Sequence, residues 1–488
     1  MDTNTHGKCL PIALFSLAAV ALLIAGCGSG TVATNHLTTS PEIGSTFVVG
    51  TDAPMASVVS FTVPIENLCG VTTDSSTGLS ACVPLISGTP SVDFARFNGL
   101  QTLLDMNDIQ AGTYTQIQIT LGAATIGYLD MTQTPPAIQT EAAAYDSSCT
   151  STTSCTYTAT LATPLVVAAS SAPVGLRVDF DLRKSIGVDG SGNITGTVTP
   201  TFDIKVVGPS DAGAYIDSFI ASVVSVNTTG QSFVVQGPHG RQFTINVSGT
   251  TQWENGESIS SLVAGSSIVE LSGMLDRADA TLDADDVAIL SQDGFYAGGQ
   301  VTYVIPSPST LAPAPPPIGF DLYVRGLLPT TTGLTLGQIA TVDLSNDPKF
   351  FIRWMHNPLT ELLFNSSSMM PGQHVSVGGP ASGAASASDV TVKRVVLRDW
   401  GFNGTVTATS AAVSAAGVNG AFQMQINGFA GVLVPQTVTV YIVPDCQWRY
   451  GFTAQSDLAV GQNVRVVGLL LNLSGQPVLV GHYVDELD

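Results

Sequence analysis

Leu176-Arg177-Val178-Asp179-Phe180-Asp181-Leu182 alternates apolar and charged residues without a break. Successive side chains of a strand point to opposite faces, so this period of two puts Leu176, Val178, Phe180 and Leu182 on one face and the charges on the other. Upstream, Val59, Phe61, Val63 and Ile65 share a face in the same way, as do Ile117, Ile119 and Leu121. Pro64 interrupts the first of these runs. Because proline has no ladder donor, it marks an edge strand or a strand end. Turn clusters such as Asp74-Ser75-Ser76-Thr77-Gly78 and Asp189-Gly190-Ser191-Gly192 separate the runs, and no long segment with helical spacing intervenes. The expectation for residues 42–208 is a β-sandwich of Greek-key or immunoglobulin-like type.

Past residue 210 the chain repeats itself. A glycine-led strand occurs three times, as Leu262-Val263-Ala264-Gly265-Ser266-Ser267-Ile268-Val269-Glu270-Leu271-Ser272-Gly273, as Met370-Pro371-Gly372-Gln373-His374-Val375-Ser376-Val377-Gly378-Gly379, and as Leu458-Ala459-Val460-Gly461-Gln462-Asn463-Val464-Arg465-Val466-Val467-Gly468. Each copy has a turn glycine before the apolar alternation and another glycine after it, as a sharp corner and a bend in a small barrel require. Trp253, Phe351 and Trp448 occupy comparable places upstream of these strands, and Ile220 to Val226, Gly299 to Val304 and Gly404 to Thr409 are matching opening strands. About five short strands per copy predict three tandem small barrels of OB or SH3 type, at 213–292, 295–399 and 400–488, since closure removes exposed edges. The fold class is therefore all-β. The second copy carries a proline-rich insertion at 305–318, read as a stiff loop or spacer in extended polyproline conformation.

The N-terminus reads as an export signal over residues 1–26: Lys8 precedes an apolar stretch from Leu10 to Ala25, broken only by Pro11 and Ser16. The stretch is short for a spanning helix, which needs about 20 apolar residues. It ends in Ile24-Ala25-Gly26-Cys27, which resembles the lipobox of bacterial lipoproteins. That resemblance implies cleavage before Cys27, lipidation of its thiol and a cell-envelope location. With Gly28 rather than Asp next in line, it implies the outer membrane. Residues 27–41 are then a flexible tether rich in Gly, Ser and Thr.

Acidic residues outnumber basic ones 37 to 16 in this 488-residue chain, and no Lys or Arg cluster appears, which excludes nucleic acid as a partner. Of seven cysteines, Cys9 leaves with the signal and Cys27 takes the lipid. Close spacing in an oxidising compartment predicts Cys69–Cys82 and Cys149–Cys155 disulfides, each contributing about 2–3 kcal/mol. Zinc is disfavoured, because no CxxC is present and no histidine adjoins either pair. Cys446 is left as a buried thiol.

Three motifs carry a second resemblance: Thr51-Asp52-Ala53-Pro54 after a first strand, Ala111-Gly112-Thr113-Tyr114-Thr115-Gln116-Ile117, and Val178-Asp179-Phe180-Asp181-Leu182. They resemble a family of bacterial lipoprotein domains of unknown function. The resemblance spans about a third of the chain and implies a sandwich-like envelope domain without a known catalytic site. The glycine-led repeats resemble another family of unknown function that occurs in tandem in envelope proteins.

Catalytic signatures are missing: there is no HExxH, GxSxG, Walker loop or strand-linked GxGxxG. Two carboxylate groups remain as candidates. Asp179 and Asp181 share a strand face with Arg177 and Arg183, and this reads as a solvated, charge-balanced exterior; with Asp52 the pair is the sole basis for an alternative reading as an envelope hydrolase acting on glycans. Asp276, Asp279, Asp283, Asp285 and Asp286 cluster near a hairpin, where Asp283, Asp285 and Asp286 are weak calcium candidates; without a glycine-punctuated loop they read as a simple acidic turn. The expectation is a non-catalytic binding or assembly module without cofactor or metal, held to the membrane through its N-terminal lipid and facing a glycan, peptide or envelope-protein partner.

Overall fold

Val174–Asp181 forms a strand in the computed structural model, with Leu176, Val178 and Phe180 buried. It stops one residue before the alternation does, because the Asp181 carboxylate accepts the Lys184 amide and caps a short helix, Leu182–Ser185. The described residues run from 42 to 487, apart from 54–57, 74–79, 98–101, 131–136, 170–172, 191–193, 209–214, 238–239, 241, 276–280, 307–314, 330–331, 354–362 and positions 414, 435, 450 and 474. The export signal, Cys27 and the tether lie outside them.

Val174–Asp181 lies between Phe202–Val207 and Ile43–Ala53, running parallel to the latter, and Thr102–Gln110 completes a four-stranded sheet. A second sheet centres on Val58–Thr73, flanked by Gly112–Leu121 and Thr125–Asp130. The apolar faces meet as the alternation requires: Phe180 stacks on Phe61 at 5.0 Å and meets Phe94 at 5.1 Å, with Ile117, Ile119 and Leu121 in the same core. Pro64 contradicts its reading as an edge or strand end, for it sits inside the central strand. Its position falls where one neighbour hands over to the next, between the pairs Thr62–Thr125 and Ile65–Leu121, so its missing donor costs the ladder nothing. Disulfides Cys69–Cys82 and Cys149–Cys155 form, with Cα separations of 5.4 and 4.8 Å.

Three downstream segments share one pairing scheme. An opening strand (Ile216–Asn227, Gly294–Ile305, Trp400–Ala408) pairs antiparallel with a second (Ser232–Gln236, Gly319–Leu328, Gly420–Ile426) and with the glycine-led strand (Ile268–Leu275, His374–Pro380, Asn463–Leu473). The third strand (Gln242–Asn246, Ile339–Asp343, Thr437–Arg449) runs parallel to the closing one and completes the ring. The closing strand is Leu282–Ser291 in the first copy and Gln476–Glu486 in the last; in the middle copy it is broken into Val390–Thr391 and Arg394–Arg398. Trp253, Phe351 and Trp448 are structurally equivalent, each paired with a valine of its closing strand, Val287, Val396 and Val484. Most of the proline-rich segment, 307–314, lies outside the described residues; the strands that flank it end on the Ile305–Gly319 pair.

The repeat is set by one corner. A single turn of 3-10 helix (Ile259–Ser261, Ser366–Ser368, Gln455–Asp457) ends on Leu262, Met369 or Leu458, which are buried, and a left-handed glycine follows three residues later. Gly265, Gly372 and Gly461 have φ of 78°, 91° and 90°. Their amides donate to the carbonyls of Val223, Val301 and Val406 on the opening strands at 2.8, 2.7 and 2.8 Å. Further along, Gly273 and Gly468 lie at bulges where an added Cβ would come within 2.1 Å of the Asp283 and Val480 carbonyl oxygens.

The modules do not fold around separate cores, and Glu42–Asp488 is one compact unit. Phe47, Val49, Leu103 and Met106 of the sandwich pack into the core of the first barrel. Val443, Leu469, Leu471 and Val480 of the third pack into that of the second.

Gly461→Ala is expected to cost about 1–2 kcal/mol, because the space is open and only the left-handed backbone objects. Gly468 is not left-handed, but its added Cβ would meet backbone at 2.1 Å, and Gly468→Ala should cost roughly 3 kcal/mol. Urea unfolding of both variants checks the order; equal losses would contradict the corner-and-bulge account.

Candidate functional site: a cationic chamber where the modules meet

Val395-Val396-Leu397-Arg398-Asp399-Trp400 carries two charges at the end of an apolar strand, and both are buried. An unpaired buried charge is costly by several kcal/mol, so such residues must find partners. Arg398 ion-pairs with Oε1 of Glu270, which is 1% exposed. The other oxygen of Glu270 lies 3.0 Å from Nε of Arg353, in ionic contact without hydrogen-bond alignment. Arg353 Nη1 reaches Asp399 at 3.2 Å, and the second Asp399 oxygen faces Nδ1 of His482 at 3.6 Å. Ser218 donates to Glu270 at 2.6 Å, and Arg398 donates to the Tyr296 hydroxyl at 3.2 Å. Glu270 belongs to the first barrel, Arg353 and Arg398 to the second and His482 to the third, so one network ties all three.

The groups stay charged against their burial. Burial works against the Arg353 charge, but Glu270 and Asp399 raise it above its ordinary value. Burial alone would raise Asp399, yet Arg353 holds it well below the usual carboxylate range. His374 is the exception: burial, reinforced by Arg398, holds its ring neutral, well below 6.5.

The network separates two cavities. One, of about 340 Å³, has a buried floor of Tyr296, Arg325, His374, Arg398 and Trp400. Phe97 and Thr102 of the sandwich, Ser218 and Ile220 of the first barrel and Leu327 of the second form its walls, with Arg96 and the exposed Leu336 and Ser91 nearer solvent. The Arg325 guanidinium lies over the rings of Tyr323 and Trp400, 5.3 and 5.2 Å from their centroids. Among the described lining residues there is no carboxylate. The other cavity, about 330 Å³, has the opposite character, with Asp217, Glu254, Asp286, Asp399 and Asp445 around Arg353 and His482.

Residues singled out from the sequence lie elsewhere. The register sets Asp52 beside Phe180 and Thr51 beside Asp179, and the side chain of Asp52 lies outside what the structure describes. Asp181 caps a helix and ion-pairs with Lys184 at 3.0 Å. The charged face is not the solvated exterior expected. Asp179 is half-buried and raised above its ordinary value by burial, with Arg177 and with Arg465 of the third barrel in electrostatic reach. Arg177 pairs with Asp203 at 3.2 Å. Asp283, Asp285 and Asp286 belong to a strand rather than a turn and face different partners: Asn246 at 3.0 Å, Tyr215, and Ser272 at 2.8 Å. Asp276 and Asp279 lie outside the described residues, among which no three His, Cys, Asp or Glu side chains gather to hold a metal. The Cys446 thiol is pushed up to about 12 by burial. The chamber residues were missed by reading motifs. Their signal is an arginine inside an apolar run, as in Tyr323-Val324-Arg325-Gly326-Leu327-Leu328.

Glu270→Ala should cost about 3–5 kcal/mol, since it takes the ion-pair partner from the buried Arg398, while Arg353 keeps Asp399. Joint replacement of Glu270 by Leu and Arg398 by Met should cost less than the sum of the two single changes, as a double-mutant cycle by urea denaturation reads directly. Acid acts through His374. The folded ring stays neutral while the unfolded one takes a proton below 6.5, so stability falls as pH drops through that value, at up to about 1.4 kcal/mol per unit. His374→Gln should flatten melting temperature against pH between 7.5 and 5; an unchanged slope would contradict the assignment.

Residues 46–196, covering most of the sandwich, match a family model described as a domain of unknown function, DUF4382. Residues 221–288, within the first barrel, match another described in the same terms, DUF5666. No curated protein matches the chain. The chamber residues from Tyr296 to Trp400 lie beyond both matched segments.

Proposed function

We propose that the protein is a lipid-anchored envelope protein whose body is a non-catalytic binding module, with the cationic chamber as its binding site. One observation carries this reading: all four modules contribute side chains to a single cavity that combines an apolar wall with three arginines. Small-molecule sites have this form, a mostly apolar concavity of about 300–1,000 Å³ with a few convergent polar groups. General acid–base hydrolysis calls for titratable groups at the ligand. The chamber instead presents guanidinium groups, which do not titrate near neutral pH, and a histidine held neutral. The anchor rests on Ile24-Ala25-Gly26-Cys27.

For the anchor, Cys27→Ser should move the protein from the membrane to the soluble envelope fraction and abolish labelling by a radioactive fatty acid; unchanged fractionation would contradict lipidation at Cys27. For the chamber, thermal-shift screening against sugars, amino acids, organic acids, nucleosides and polyamines should find at least one class that stabilises the wild type, by about 2.7 kcal/mol at a hundred times its Kd. Arg325→Gln should abolish that shift. No shift with any class, or equal shifts in both proteins, would overturn the chamber as a binding site.

A further inference from the structure

Resting on the binding-module reading, we infer that the chamber takes an uncharged aromatic molecule of about the size of indole, packed against Phe97, Leu327 and Trp400. The absence of charge follows from the partners that the cations already have. Arg398 is answered by Glu270, and it also donates to the Tyr296 and Ser376 hydroxyls at 3.2 and 3.3 Å. Arg325 donates to Gln300 at 3.4 Å, and its guanidinium backs the Tyr323 and Trp400 rings. Arg96 lies over the Phe97 ring, 5.6 Å from its centroid, with Asp93 in electrostatic reach. Nδ1 of His374 faces the Asp399 carbonyl at 3.3 Å, and burial holds that ring neutral. An anion would give up its water and compete with these partners. A cation would meet three guanidinium groups, with no carboxylate among the described lining residues to answer it.

Two glycines make the room for a ring. Gly298 and Gly326 sit opposite each other on neighbouring strands, and both line the cavity. A Cβ on them would come within 2.2 and 2.8 Å of the Tyr296 hydroxyl, so the phenol lies across the bare pair. The aromatic character follows from the walls. Phe97, Tyr296 and Trp400 are nearly buried, as is Leu327, and Leu336 stands exposed at the mouth. A ring set offset or edge-on against such side chains gains more than its buried area alone provides. A neutral sugar would bring hydroxyls that these walls cannot pair, at a cost in desolvation. A cavity of about 340 Å³ lies at the small end of ligand sites, suited to one small ring system.

The test is calorimetric titration of the full-length lipoprotein in nanodiscs, with empty nanodiscs as the blank for partition into lipid. Indole, the anion indole-3-acetate and the cation tryptamine share one ring system and differ in charge, and cyclooctanol is an uncharged ring that is not planar. Indole should bind with a sub-millimolar Kd, both charged homologues at least tenfold more weakly and cyclooctanol at least threefold more weakly. Ile220→Trp, which fills the cavity from the wall of the first barrel, should abolish indole binding. Leu336→Trp narrows the mouth at an exposed position, so it keeps the test open should the first variant fail to fold, and it should weaken indole at least tenfold. No binding by indole, a charged homologue or cyclooctanol of equal affinity, or unchanged indole binding in the folded tryptophan variants would each overturn the inference. Should indole fail while another class stabilises the protein in the broad screen, the binding-module reading stands and this inference alone falls.

Discussion

The Glu270 carboxylate is shared by two guanidinium groups of the neighbouring barrel, and the arrangement of the molecule depends on that contact. Arg353 and Arg398 are almost wholly withdrawn from water, so removing Glu270 would take the ion-pair partner from Arg398 and leave Arg353 to Asp399. A buried ion pair of this kind adds little net stability over an apolar replacement, but its geometry is demanding. Only one orientation of the first barrel against the second brings Glu270 and Ser218 to Arg398. Asp399 and His482 carry the same constraint into the third barrel. The network acts as a keyed joint, and the cavities on its two sides differ in charge through residues around it, Arg96 and Arg325 on one side and Asp217, Glu254, Asp286 and Asp445 on the other.

Within each barrel the constraint is backbone geometry. A left-handed glycine donates to the opening strand at the same point in all three copies, after a buried Leu or Met that plugs the end of the ring. The described residues of the sandwich show no such device, and phenylalanines pack between its sheets instead. Shared cores then fuse the pieces, so that Phe47 and Met106 serve the first barrel as much as their own sheet.

Much of this was legible in the residues themselves. Alternation in Ile117-Gln118-Ile119-Thr120-Leu121 is local, and so is the glycine corner, because both follow from the two- or three-residue geometry of the backbone. Both disulfides were legible for the same reason: their partners are close along the chain. Pro64 misled because its tolerance depends on which neighbour it meets, a fact of pairing across nearly 60 residues. The face of Asp179 misled because alternation shows which residues share a side, and not what another module lays over it. The chamber was the least legible feature, since its walls come from segments more than 300 residues apart. The composition did hold a clue. In a chain with 37 acidic and 16 basic residues, arginines placed inside apolar strands are out of pattern. Arg96, Arg325, Arg353 and Arg398 gather at this one junction.

That gathering is the centre of the account: a protein of net charge −21 reserves a confined cationic site with an apolar wall. The most direct measurement is crystallography of the protein soaked with the compound that stabilises it most in the thermal-shift screen. The account predicts density for that compound inside the chamber, against Leu327 and Trp400. Density found only outside the chamber would contradict it.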